Sequence, residues 1–270
     1  MKKMGHIHIP KCAGSSLNKM LYKQFELSPK HFTGVVYQKQ TDRTLDVVID
    51  SPDFFELSNR QFVSGHVSFK EMALLQRNFI FTVLRNPYER FFSLFTYNIT
   101  RALKSSNIPH LQGYENKTFI EHLAFLSSRK INTTYSQLIA DYPDPISKLL
   151  IDRVFFRDNE LLCRTTINKA LSRLDVIYYC DMSLLLSHLT QLSLVPVLKP
   201  IIENVSSIPI NIKMGCNQAT FKKLIDENCW LEVEILKQAH QLYPETIIKP
   251  CIDFDDFLNG IKDRFSLLFD

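Results

Sequence analysis

The chain has 270 residues, and an apolar share of 45% is enough to bury the core of one large α/β domain or two small ones, which excludes a disordered or fibrous chain. Thirty-two basic residues against 28 acidic ones leave a formal charge of +4. That is too mild and too evenly spread for a dedicated nucleic-acid binder, yet it suits a locally basic pocket for an anion.

The first element is also the most informative. His6-Ile7-His8-Ile9-Pro10-Lys11-Cys12-Ala13-Gly14-Ser15-Ser16-Leu17 is a short apolar strand running into a lysine, a glycine and two hydroxyls that open a helix over 15–25. A helix start has unpaired backbone N–H groups and the positive end of its dipole, and a nearby lysine adds a full charge, which together suit a tetrahedral phosphate or sulfate. Gly14 permits close approach, and Ser15 and Ser16 add donors. A Walker A loop would place its lysine after the second glycine with a hydroxyl beside it for magnesium. Here Lys11 precedes Gly14, so a nucleoside triphosphatase loop fits poorly.

Further strand signals fall at 34–37, 61–66, 78–84 and 175–180, after the first at 5–9. They are short apolar runs without clean alternation, as expected of strands covered on both faces. Helical patterns at 68–76, 87–103, 117–127, 159–173 and 183–192 lie between or after them. Strands alternating with helices predict an α/β fold, a central parallel sheet flanked by helices. Beyond residue 195 the chain reads as loops and helices, the best at 218–228 and 230–242. Only seven glycines, no repeat and no linker predict a single domain over 1–270. Its sheet and anion-binding signals fall at 1–100 and 170–210, with mostly helical elements at 98–150 and 210–270.

A second anion signal lies at Leu84-Arg85-Asn86-Pro87-Tyr88-Glu89-Arg90-Phe91-Phe92-Ser93, where a buried strand ends in arginine and a helix begins at once. Asn86 is a natural N-cap and Pro87 fits the first helical position. Six residues of helix span roughly 9 Å, a gap an arginine arm helps close, so Arg85 and Ser93 can grip one phosphate from two sides. Arg90 reads equally well as a contributor or as a salt-bridge residue with Glu89 or a downstream acid.

A hydroxyl acceptor must lose a proton, so a group with a pKa near neutrality is needed. His66, in Ser64-Gly65-His66-Val67-Ser68, stands where a strand gives way to a helix, and parallel sheets bind ligands at such strand ends. His6 and His8 share one face of the first strand, mainly as structural residues, although His8 can also line the site. The remaining histidines, His31, His110, His122, His188 and His240, read as surface or packing residues.

The loop at Lys11 and the R-N-P-Y-E-R-F-F-S segment resemble the two donor motifs of the carbohydrate sulfotransferases that use 3′-phosphoadenosine 5′-phosphosulfate (PAPS). Gly65-His66-Val67-Ser68-Phe69 is similar to the segment that carries the base of the uronosyl 2-O-sulfotransferases. The resemblance implies a P-loop-like fold and sulfuryl transfer from PAPS to a hydroxyl, less readily an amine, of a carbohydrate acceptor. It also implies roles: Lys11 with Cys12, Ala13, Gly14, Ser15 and Ser16 on the 5′-phosphosulfate, Arg85 and Ser93 on the 3′-phosphate, and His66 as base. The product would be PAP. Residues 1–100 and 170–210 would then form a nucleotide-binding core, and 98–150 and 210–270 acceptor-site and packing elements. Cys180-Asp181 replaces the Thr-Glu that usually ends the family's later strand, and Glu203-Asn204-Val205-Ser206 resembles a loop that follows in many bacterial members.

Tyr97, Tyr114, Tyr135 and Tyr142 offer rings to a sugar but more often pack in such loops. The six cysteines (Cys12, Cys163, Cys180, Cys216, Cys229, Cys251) lie far apart without zinc spacing and are expected as reduced core thiols with no metal. No run approaches the roughly 18 to 20 apolar residues of a membrane span. The expectation is a cytoplasmic protein of bacterial type, or a chain trimmed of the anchor that animal relatives carry. Two rivals share the anion cradle. A nucleotide-dependent kinase would need a Walker-type lysine and a magnesium carboxylate, and a non-catalytic nucleotide-binding protein would need no base.

Overall fold

A computed structural model of the chain describes residues 3–9, 11–27, 52–65, 69–104, 117–121, 160–179, 181–196, 211–247, 252–262 and 266–270. In chain order the elements are β1 (Met4–Ile7), α1 (Gly14–Gln24), α2 (Pro52–Asn59), β2 (Phe62–Gly65), α3 (Phe69–Leu74), β3 (Phe79–Leu84), α4 (Pro87–Lys104), α5 (Glu160–Leu171), β4 (Val176–Tyr179), α6 (Met182–Gln191), β5 (Asn211–Lys213), α7 (Gln218–Leu242), α8 (Phe254–Lys262) and β6 (Ser266–Leu268). The expected strand at 34–37 and most of the helix at 117–127 lie outside the described residues.

Strands β1 to β4 form one parallel sheet in the order β2-β1-β3-β4, the central parallel sheet that the alternation of short apolar runs and helices predicts. Alternate residues of each strand feed opposite faces, which is why the runs are apolar without a polar side. Phe79, Phe81 and Val83 of β3 pack with Leu17 and Leu21 of α1 and Leu185 and Leu189 of α6. Ile80 and Leu84 face the other way, onto Ile167 and Leu171 of α5 and Ile235 and Leu236 of α7. The order 2-1-3-4 puts the reversal of strand order between β1 and β3, the crevice where open α/β sheets bind ligands at their carboxyl ends.

A third cluster lies apart from the sheet and is aromatic: Phe91, Phe92 and Phe95 of α4 meet Phe119, Phe221 of α7, and Phe254 and Phe257 of α8. The chain beyond 195 thus departs from expectation in three ways. It carries a small parallel pair, β5–β6, and an amphipathic helix α8 that no sequence signal picked out. It also holds one 25-residue helix, α7, where two were expected. No glycine or proline interrupts 218–242, and the apolar stripe only shifts because the helix changes partners. Phe221, Ile225 and Cys229 serve the aromatic cluster, and Leu231, Ile235 and Leu236 serve the sheet. Helix α2 was likewise unforeseen. Its last carbonyls, Leu57 O and Ser58 O, accept from the buried Arg77 guanidinium at 2.8 and 2.6 Å, a tertiary cap that a local pattern cannot reveal.

Arg90 settles on the structural side. It is fully buried on α4 and forks onto Glu232 of α7, Nη2 to Oε1 at 2.5 Å and Nε to Oε2 at 3.1 Å. This pair ties α4 to the helix that joins the two cores. Glu232→Gln leaves a buried guanidinium facing a neutral amide and is expected to destabilise the fold by about 3 to 5 kcal/mol, whereas Arg90→Met with Glu232→Leu recovers most of that loss. Urea unfolding of the two variants checks it.

Candidate functional site

The site begins with the register of the sheet. Ile7 of β1 pairs with Thr82 of β3 on one side and Gly65 of β2 on the other, and Thr82 Oγ1 donates to Ile7 O at 2.8 Å. Strands β1 and β2 therefore end opposite each other and β3 runs two residues farther, so the loops carrying Lys11 and Arg85 leave adjacent strand ends at the switch point. Gly65, the last residue of β2, accepts from His8 N at 2.8 Å. His66 follows it in the chain and lies outside the described residues.

The β1–α1 loop is held in an uncommon backbone. Lys11 and Ala13 have φ of 66° and 60°, a left-handed conformation that costs a side-chain-bearing residue about 1 to 3 kcal/mol and clusters at ligand sites. Ala13 is the N-cap of α1 and supplies no side-chain hydrogen bond to the first turn. At the start of α4, by contrast, Asn86 Oδ1 accepts from Tyr88 N at 2.9 Å and Glu89 N at 3.3 Å, the cap expected of it. Ser15 is exposed and Ser16 buried.

Two members of the expected cradle also make contacts within the protein. Cys12 N donates to Ile9 O at 3.3 Å and its side chain is buried in the sheet core, so it closes the loop's own turn. A Cβ on Gly14 would sit 2.1 Å from His8 Cδ2; the close approach this glycine permits is that of the His8 ring. His8 in turn stacks with His6, ring centroids 5.5 Å apart, and the buried His6 Nδ1 meets Ser64 Oγ at 2.9 Å and Asn18 Oδ1 at 3.2 Å. The two histidines form the floor under the loop, as their shared face of β1 predicts. His188, on Tyr178 Oη at 2.8 Å, and His240, donating to Ile247 O at 2.5 Å, are packing residues.

The two loops are electrostatically coupled. The Lys11 ammonium is held down at about 8, first by burial and then by the Arg85 guanidinium, so two cations share one region. Arg85 is steadied side-on by Glu89, with Nε and Nη2 each 2.8 Å from Oε2. Lys11 has no hydrogen bond or carboxylate partner among the described residues; its Nζ lies 4.0 Å from the ring centroid of Tyr97, with the Arg101 guanidinium 5.5 Å from the same ring. Glu89, half-buried Ser93, Tyr97 and Arg101 succeed one another every four residues of α4 and so share one face. A local excess of positive charge beside an uncapped helix start fits a polyvalent anion.

Tyr97 lies within the helix expected over 87–103, and Arg101, which no motif marks, lies one turn beyond it. The signal that finds both is the continuation of the Ser93 spacing along α4. Asp181, where the family's usual pair is replaced, caps α6 by accepting from Leu184 N at 3.0 Å. The Asn204 loop lies outside the described residues. Among the described residues, Cys12, Cys216 and Cys229 are free thiols, buried as expected.

A family model described as the sulfotransferase family matches residues 1–141, the stretch that holds β1 to β3, the Lys11 loop and the α4 face. The chain belongs to the sulfotransferase family, and a sulfonate donor and an acceptor are what that membership implies. No curated protein and no solved structure matches it. No helix among the described residues is long and apolar enough to cross a membrane, and no three His, Cys, Asp or Glu side chains among them cluster as metal ligands.

The depressed Lys11 carries a pH signature. Between about 8 and its unfolded value near 10.5 the unfolded chain binds a proton that the folded chain has lost, so stability rises with pH across that window. Denaturant midpoints at pH 7.5, 9 and 10 are expected to rise for the parent relative to Lys11→Met; a constant difference overturns the assignment.

Proposed function

We propose that the chain transfers a sulfuryl group from PAPS to a hydroxyl, less readily an amine, of a carbohydrate or glycoconjugate acceptor, as one sulfotransferase domain. The observation that carries this reading is the meeting of two strand-end loops, one with Lys11 and an uncapped helix start, the other with Arg85 and leading into the α4 face that carries Ser93, across the β1–β3 switch point. One ligand with anions at both ends suits two such cationic loops better than a single phosphate does.

Lys11 and the first amides of α1 would hold the 5′-phosphosulfate and neutralise charge growing on its bridging and sulfuryl oxygens. Arg85, already oriented by Glu89, and Ser93 would take the 3′-phosphate, the group that separates PAPS from ATP. When bound, PAPS supplies an activated sulfuryl group for in-line displacement, with PAP as the leaving product. His66, next in the chain after a residue paired with Ile7, would take the acceptor proton. The chemistry asks for no metal. A carbohydrate acceptor is favoured by the likeness of the His66 segment to glycan-modifying enzymes.

Calorimetric titration with PAP, ADP and AMP tests the donor: PAP is expected to bind at least tenfold more tightly than ADP, and Arg85→Ala to erase that preference. Equal affinity for ADP sinks the reading. For the base, His66→Ala is expected to bind PAP as the parent does while sulfate transfer, followed with radiolabelled donor over a panel of glycans, falls by about 10²- to 10⁴-fold. Parental transfer in that variant removes His66 from the role.

A further inference from the structure

We infer that Tyr97 is a positioning residue of this site: its ring holds the Lys11 ammonium, Lys11 gives up the ring for the donor's oxygens, and the freed face of Tyr97 then receives the acceptor. The inference rests on the donor reading above and goes further, because it orders the two substrates and gives the acceptor its first contact.

Four observations converge on it. Lys11 Nζ is 4.0 Å from the centroid of the Tyr97 ring, and Lys11 makes no hydrogen bond or ion pair with a described residue, so the ring is its partner. Tyr97 is 42% exposed, a large share for an aromatic residue whose helix buries Phe91, Phe92 and Phe95 on its other side. It stands one turn beyond Ser93, on the face of α4 that the donor would occupy. Arg101, one turn farther on, sets a second cation 5.5 Å from the ring and keeps that end of the face polar.

A cation–π contact at a half-exposed ring is weak beside charge-assisted hydrogen bonds to phosphate and sulfuryl oxygens. The ring therefore restrains a flexible lysine arm close to where it works and releases it to a stronger partner. What remains is an amphipathic ring beside the transferring group, suited to an acceptor with an apolar C–H face and polar edges. Acceptor binding before the donor has to displace Lys11 from the ring without compensation. Binding after it meets a bare face, so the donor enters first.

The direct readout is NMR of lysine ε-methylenes labelled with ¹³C, the Lys11 signal being assigned by its disappearance in Lys11→Arg. In the parent the Tyr97 ring current is expected to move that signal upfield, and PAP is expected to return it to the ordinary lysine position. Tyr97→Leu should lose the upfield shift without PAP and bind PAP about two- to fivefold more tightly, the competing contact being gone. Tyr97→Phe should keep both the shift and the parental affinity. A Lys11 signal that stays upfield at saturating PAP, or weaker PAP binding in Tyr97→Leu, overturns the inference while leaving the donor reading intact. Failure of PAP to bind the parent overturns both. The parental titration decides the exchange of Lys11 from ring to donor even if Tyr97→Leu fails to fold. Titration of the parent with a glycan of the panel that it sulfates tests the order: the glycan is expected to bind more tightly with PAP present, and equal binding without PAP overturns donor-first entry.

Discussion

The parallel pairing of β1 with β3 is the constraint on which everything else depends. Met4 opposite Phe79 and Ile7 opposite Thr82 fix the two strands so that β3 ends two residues beyond β1, and the Thr82 hydroxyl on Ile7 O fastens them where β1 ends. A one-residue slip would turn Phe79, Phe81 and Val83 from the face of α1 and α6 to the face of α5 and α7 and bury the wrong set of side chains. Hydrophobic burial on two faces therefore sets the register, and the register sets the separation of Lys11 and Arg85. Residues far apart in the chain become neighbours because a sheet aligns its strand ends.

Around that junction, the parts that stabilise and the parts that bind are kept separate. Arg85, just before α4, and Arg90, within it, are five residues apart, yet Arg90 is fully buried against Glu232 and Arg85 is partly exposed, held by Glu89. The buried pair locks α4 to α7, so the face of α4 that carries Ser93 and Tyr97 has a fixed direction relative to the sheet. The exposed residues keep their positive charge available. In the β1–α1 loop the same division appears as strain: left-handed Lys11 and Ala13 are tolerated because Cys12 is anchored in the core between them and the His8 ring fills the space beside Gly14.

Much of this was legible beforehand. The strand ends at Ile7, Gly65, Leu84 and Tyr179 lie within a residue or two of where apolar runs meet helix-start signals, since each run is short and buried on both faces. The Asn86 cap and Pro87 start were readable because they act within one turn. Other features escaped for physical reasons. Helix α2 is capped by Arg77 from 17 or more residues away, and β5 and β6, three residues each, pair across more than 50 residues; neither leaves a local pattern. Helix α7 read as two because its apolar stripe changes partners midway, and a stripe that shifts looks like an interruption when no partner is known.

The alternation of β1 to β4 with α1, α3, α4, α5 and α6, the parallel α/β class and the two cationic loops follow from the amino-acid sequence alone, because burial periodicity, capping and turn chemistry act over a few residues. Which residues of those loops face one another came only with the tertiary structure. Cys12 turned to the core, Gly14 yielded to an imidazole, Arg90 found an acid 142 residues away and Lys11 met a tyrosine on another element. Such contacts depend on how helices dock on the sheet, and docking is decided by the summed packing of three cores rather than by any one segment.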